Sequence, residues 1–317
     1  MVRIILSLLF ATIVSRAVAD TSSLILEAEQ AFEASRVVCS GISDKIAKIA
    51  NMSKANTAVS AVGTVAASGS LAAGIKKSET ESEIDTIIKE MCENGGCTPQ
   101  GVEAMNNEDF FEKVIEPMSR IAELQQKIAE SKKAGNWRTG LMAGTIGTNL
   151  ASAIISGLNI NQTELQQHIT ACNETIKIAT DVEFKLKKAG INPIENPVLK
   201  KLDDLKTWCT QIDVSDIEKI EKRMKGVLGT SVAGTVFGVV GTGTSAAANS
   251  DKYMDATNKV RLSDEEKKKE KNLNLTANVM AGANVATGVV ETGLNISLIM
   301  LTKKLITNAE RCEKVFE

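Results

Sequence analysis

Gly140-Leu141-Met142-Ala143-Gly144-Thr145-Ile146-Gly147-Thr148-Asn149-Leu150-Ala151-Ser152-Ala153-Ile154-Ile155-Ser156-Gly157-Leu158 carries no charge. Met142, Ile146, Leu150, Ile154 and Leu158 recur every four residues, and Gly140, Gly144, Gly147 and Ala151 recur beside them at steps of four, three and four. This spacing belongs to a helix. A bulky stripe beside a small one is the pattern that lets two helix backbones approach closely, as in the small-xxx-small motif of membrane helices. Each glycine in an exposed helix costs roughly 1 kcal/mol relative to alanine, so a compensating close contact is expected.

The device repeats at Gly226–Ser250, where Leu228, Val232, Val236 and Val240 run beside Gly226, Thr230, Gly234, Gly238 and Thr242. Two further stretches, Ala55–Ile75 and Asn272–Thr302, are almost free of charge, the last broken only by Glu291, although 24% of the chain is charged. Val62-Gly63-Thr64-Val65 in the first stretch resembles Ala233-Gly234-Thr235-Val236 in the third. Met142-Ala143-Gly144 and Gly157-Leu158-Asn159-Ile160 in the second reappear as Met280-Ala281-Gly282 and Gly293-Leu294-Asn295-Ile296 in the fourth. The order and spacing of these matches imply duplication. With 3% aromatic residues and four prolines, a sandwich or barrel of short strands is disfavoured. The expected fold is all-α: duplicated long helical hairpins with Gly/Ala-rich, close-packed arms in an elongated bundle. Gly140, Gly144, Gly147, Gly226, Gly234, Gly238 and Gly282 are assigned to helix packing.

The six cysteines follow the same plan. Cys39 precedes the first stretch and Cys172 follows the second, while Cys209 precedes the third and Cys312 follows the fourth. Antiparallel hairpins would bring Cys39 to Cys172 and Cys209 to Cys312. Cys92 and Cys97 flank a tight Glu-Asn-Gly-Gly turn that could close on itself. Six cysteines allow 15 connectivities, and the sequence does not choose among them. Gly190–Pro197 reads as the seam between a first half, 20–190, and a second, 191–317, because glycine suits a helix C-cap and two prolines prevent continuation. A second interruption spans Cys92–Pro99, with Thr98-Pro99 and Asn107-Glu108-Asp109 as helix starts after it.

Residues 1–19 read as a cleaved signal peptide: Arg3 precedes the apolar run Ile4–Val14, and Ala17-Val18-Ala19 is a small-x-small cleavage pattern. Export follows, to the periplasm or cell envelope in a bacterium and to the outside otherwise. An even cysteine count in an exported chain favours bridging. Loss of Arg3 and Arg16 takes the 37 basic residues to 35 against 39 acidic, a net charge of −4, so no electrostatic footprint for nucleic acid remains.

No residue pattern points to catalysis, a cofactor or a metal. His168 is the one histidine and reads as a surface residue. Cys92 and Cys97 lack a second pair at zinc spacing. Val239–Ala246 contains Gly-x-Gly-x-x-Ala after an apolar run, yet that run has helical period and no strand pattern surrounds it, so a dinucleotide turn is not expected. Gly69–Ser78 fails as a phosphate loop because Ile75 separates Gly74 from Lys76. Five Asn-x-Ser/Thr sequons, at Asn51, Asn161, Asn173, Asn274 and Asn295, are what this composition gives by chance. Lys267, Lys268, Lys269 and Lys271 follow Ser263-Asp264-Glu265-Glu266 as a capped, solvated helix start.

The preferred functional reading is a non-catalytic exported protein that scaffolds, or that associates through its helices with itself or another envelope component. The alternative is a membrane-inserting or pore-forming protein that places its glycine-rich hairpins in lipid. About 20 uncharged residues can span a bilayer, but the many Ser, Thr and Asn residues in these stretches oppose insertion.

Overall fold

The four charge-free stretches lie in long helices, with only Asn249 and Ser250 at the end of the third falling outside one. The computed structural model describes residues 22–93, 115–159, 162–192 and 196–317. Among these every regular element is helical: α1 (residues 22–39), α2 (Ile42–Glu93), α3 (Ile115–Asn159), α4 (Thr163–Lys188), α5 (Pro197–Cys209), α6 (Val214–Ala248), the short α7 (Asp251–Met254) and α8 (Ala256–Val260), and α9 (Asp264–Glu313) with a terminal 3₁₀ turn, Lys314–Phe316. The all-α expectation holds. The expected signal peptide, the Cys97 end of the tight turn, Thr98-Pro99 and Asn107–Phe111 lie outside the described residues.

Helix ends fall where local chemistry can satisfy them. At the close of α4, Gly190 adopts φ +85°, and the Gly190 and Ile191 amides donate to the carbonyls of Lys187 (3.1 Å) and Leu186 (3.2 Å). This is a Schellman closure, which needs a residue that enters the left-handed region without strain. Asn196 then caps α5, its Oδ1 accepting from the Val198 and Leu199 amides with Pro197 in the first helical position. Ser263 and Glu266 form a reciprocal capping box at the start of α9: the Ser263 amide donates to Glu266 Oε2 (3.0 Å) and the Glu266 amide to Ser263 Oγ (3.3 Å).

The chain divides into two compact units, each drawing on both halves of the sequence: residues 1–55, 157–225 and 295–317 in one, and 56–156 and 226–294 in the other. The division at 190/191 is thus a division of the chain, and the units are assembled across it.

The first unit has an ordinary apolar interior. Ile42, Ile46, Ile169, Leu199, Leu202 and Leu205 are buried, and Phe32 packs on Phe316 with ring centroids 5.5 Å apart. Its two disulfides, Cys39–Cys172 and Cys209–Cys312, have Cα–Cα distances of 4.9 and 4.6 Å. They are the pairs that antiparallel hairpins require.

The second unit is built from segments of α2, α3, α6 and α9. Partners on α2 and α3 move in opposite directions along the chain, from Asn56 with Ser156 to Ser70 with Arg138 to Glu83 with Lys127, so this pair is antiparallel. Gly226 beside Leu294 and Gly241 beside Met280 show the same for α6 and α9. Buried positions alternate at steps of three and four: Asn56, Ser60, Gly63, Ala67, Ser70, Gly74 and Lys77 on α2, and Met142, Thr145, Asn149, Ser152 and Ser156 on α3. A 3.5-residue repeat is the seam of a left-handed coiled bundle. Its occupants here are small and polar.

Candidate functional site

The seam of the second unit forms a polar axis, and the residues that would normally fill a bundle core lie outside it. Val65 on α2 is 73% exposed, Ile154 on α3 62%, Val236 on α6 53% and Val289 on α9 58%. Inside are Asn56, Ser60, Ser152, Ser231, Asn284 and Glu291, all buried.

Glu291 anchors one layer of the axis. It is 1% exposed and accepts from the hydroxyls of Ser60 and Ser152, while Ser231 Oγ meets Ser152 Oγ at 3.0 Å, so each of the four helices contributes one residue. In a neighbouring layer Asn56 Nδ2 donates to Ser156 Oγ (2.9 Å). Further along, the Asn149 amide lies against Asn284, and the Asn284 amide sits between Thr145 and the Gly234–Gly238 backbone.

A charged network closes the other end. Arg138 is fully buried and donates Nε to Ser245 Oγ (2.8 Å), one terminal nitrogen to Asn278 Oδ1 (3.1 Å) and the other to Asn274 Oδ1 (2.8 Å). Arginine keeps its proton under ordinary conditions, so these three charge-assisted bonds offset the loss of hydration. Lys77, also fully buried, donates to the Ala248 carbonyl (3.0 Å) and pairs with Glu81 at 3.4 Å. Burial lowers the Lys77 ammonium to about 8. Glu270 pairs with Lys259, both nearly inaccessible, and burial raises its carboxyl. Beyond this network Ile84, Ile88, Met91, Leu124 and Ile128 form a conventional apolar cluster.

The glycines assigned to packing divide into two groups. A Cβ on Gly234 would lie 2.5 Å from Asn149 Nδ2, one on Gly238 2.7 Å from Ile146 Cγ1, and one on Gly226 3.2 Å from Leu294 Cδ1. These three sit where neighbouring helices approach. A Cβ on Gly140, Gly144, Gly147 or Gly282 would meet nothing within 4 Å. Gly63, Gly241 and Gly288 make close approaches of their own, Gly288 against Thr64 Oγ1 at 2.4 Å from an added Cβ. Small-residue spacing alone did not separate the two groups: Gly140, Gly144 and Gly147 alternate at four and three yet face no neighbour, while Gly226, Gly234 and Gly238 fall at multiples of four and do.

The remaining sequence candidates fall elsewhere. His168 is half-buried instead of a free surface residue: Nε2 donates to the Val38 carbonyl at 2.6 Å, in the last turn of α1, where carbonyls lack intrahelical partners. Val239–Ala246 and Gly69–Ser78 lie inside the unbroken helices α6 and α2, so neither forms a phosphate-binding turn. Asn274 and Asn295, the last two sequons, are buried. Cys92 is disulfide-bonded. Among the described residues no group of three His, Cys, Asp or Glu side chains is placed to hold a metal.

Sequence reasoning missed Arg138, Lys77, Ser60, Ser152 and Ser231 as axis residues, because each lies at the edge of a charge-free stretch or resembles its commonplace serines. No protein-family model, curated protein or solved structure matches this chain.

Proposed function

We propose that the protein inserts four helices into a lipid bilayer as one bundle and acts there without catalysis, as a pore-forming or channel-type protein. The observation that carries this reading is the inverted polarity of the second unit. Water favours apolar residues inside and polar ones outside. Hydrocarbon reverses this preference, and polar side chains within a membrane face the bundle interior. Four described helices are long and apolar enough to cross a membrane, and in each only 28% of the most apolar stretch is buried. A protein partner would have to cover all four helices at once, whereas lipid covers them without specific contacts.

The flanks support the same placement. Exposed Lys54, Lys76, Lys225, Lys271 and Lys303 lie immediately outside the charge-free stretches, where long basic side chains can reach headgroups. Trp137, 61% exposed and next to Arg138, stands at the start of the second stretch, in the position of an interfacial aromatic. The Lys77, Arg138, Glu81 and Glu270 network lies outside the four stretches, at the water-facing end. Two disulfides fit delivery through an oxidising, exported route.

The test is an alkaline carbonate wash of membranes from cells expressing the full chain, followed by leakage of a small dye from liposomes. The protein is expected to stay in the pellet and to make liposomes leaky, with leakage lost in Gly234→Leu. Recovery in the wash together with intact liposomes would overturn the proposal and return the protein to the scaffold reading.

A further inference from the structure

Helix α2 has a bridged cysteine at each of its ends. It runs unbroken from Ile42 to Glu93 over 52 residues, about 78 Å at 1.5 Å per residue. Its charge-free stretch, Ala55–Ile75, lies in the middle and is about as long as the hydrocarbon of a bilayer is thick, roughly 30 Å. Lys54 precedes the stretch, and Lys76, Glu79, Glu83 and Asp85 follow it, so sliding the helix along the membrane normal would draw charge into lipid. If α2 crosses there, Cys39, just before its start, lies on one side of the membrane and Cys92, in its last turn, on the other.

Cys39 is bridged to Cys172, Cys92 is also disulfide-bonded, and no described cysteine is a free thiol. Cys39, Cys172, Cys209 and Cys312 flank the charge-free stretches on the side that the antiparallel hairpins share, so among the described cysteines Cys92 alone reports on the other side. Disulfides form and persist in oxidising compartments and are rare in the cytosol, where thiols are kept reduced. A chain threaded into the membrane from the cytosol during synthesis would leave one end of α2 behind, with its thiol reduced. Bonds at both ends require both flanks to have met an oxidising compartment. We infer that the protein is exported whole, acquires its bridges in an aqueous compartment and only then enters the bilayer, so that insertion into a phospholipid membrane is an activity of the oxidised chain itself. The inference rests on the membrane placement proposed above and adds the side and the order of entry.

In the test, cells expressing the full chain are treated with N-ethylmaleimide, which blocks free thiols, and their membranes are washed with alkaline carbonate. The pelleted chain is denatured, reduced and labelled with a maleimide-linked polyethylene glycol, so that each cysteine that was bridged adds one mass step. Six steps are expected, one for each cysteine of the sequence. Fewer than six, with four the number that Cys92→Ser should give, would show a reduced flank in an inserted chain. That result would overturn the order of entry and leave the membrane placement intact. Absence from the pellet would refute the membrane placement, and the inference with it. A second measurement needs no cells: full chain oxidised in the absence of lipid is mixed with preformed liposomes of phosphatidylcholine and phosphatidylglycerol. It should float with them through a density gradient after carbonate treatment. Oxidised chain that stays behind, while the cellular chain resists carbonate, would overturn the inference even with six steps.

Discussion

The two compact units solve opposite solvation problems with the same secondary structure. In the first, Ile46, Ile169 and Leu202 point inward, and charged pairs such as Lys45 with Glu164 (2.9 Å) remain outside. In the second, Ser60, Asn149 and Glu291 are buried and Val65, Ile154 and Val236 are outside. Helix formation alone does not distinguish these arrangements, because both satisfy the backbone internally. What separates them is which side chains have been withdrawn from their surroundings, and hence what those surroundings are. The apolar cluster around Ile84 and Leu124 marks the return to water-soluble logic within the second unit itself.

The strongest way to break the contrast is through the two long-range disulfides of the first unit. Reducing Cys39–Cys172 and Cys209–Cys312, with sequence separations of 133 and 103, should destabilise that unit by about 4–5 kcal/mol per bridge in the chain-entropy model. Hydrogen exchange should then accelerate at Ile169 and Leu202 while the amides of 231–245, in the second unit, keep their protection; uniform loss would show that the contrast is not energetic. Arg138→Met comes next, at about 3 kcal/mol, because Ser245, Asn274 and Asn278 lose a charged donor together. Chemical denaturation in detergent reads it.

Val236→Lys discriminates between environments most directly. At the centre of a bilayer it should cost about 3 kcal/mol and lower the membrane-inserted fraction, whereas on a water-facing surface it would change stability by less than about 0.5 kcal/mol. Comparing carbonate resistance with melting in detergent separates the two.

A smaller effect, on the order of 1–3 kcal/mol, concerns pH. The folded Lys77 value of about 8 lies below its ordinary 10.5, so between these values the folded state binds fewer protons than the unfolded, and stability rises with pH. The folded Glu270 value of about 7 lies above its ordinary 4.5, so there the folded state binds more protons, and stability falls as pH rises across that window. Thermal melts should therefore show a minimum between about pH 7 and 8, shallower on its acidic side in Glu270→Gln. The smallest prediction is Ser263→Ala, about 1 kcal/mol from the lost capping box, read as faster exchange in the first turn of α9 alone.

Much of the architecture was legible in residue order. Charge-free stretches separated by charged ones marked the long helices, and the cysteines flanking each hairpin marked both bridges. Gly190 and Asn196-Pro197 showed where one helix closes and another begins. The buried axis was harder to read, because apolar periodicity indicates the face that avoids water, and here the faces that recur as Leu150 and Ile154, or as Val232 and Val236, are the exposed ones. Serine, asparagine and glycine recurring every 3.5 residues carried the packing information. That alternation is faint in a chain where these residues are common. Arg138 and Lys77 bordered the charge-free stretches, so only three dimensions could show that their side chains turn inward.

The two bridges also determine how the chain responds to mechanical load. Tension applied between the ends passes from Cys39 to Cys172 and from Cys209 to Cys312 through sulfur, bypassing the polypeptide between them. At about 3.4 Å per residue, roughly 450 Å and 350 Å of contour length are held in reserve. The polar axis lies within those reserves, so a pull that straightens the rest of the molecule leaves it slack until a reductant cuts the bridges.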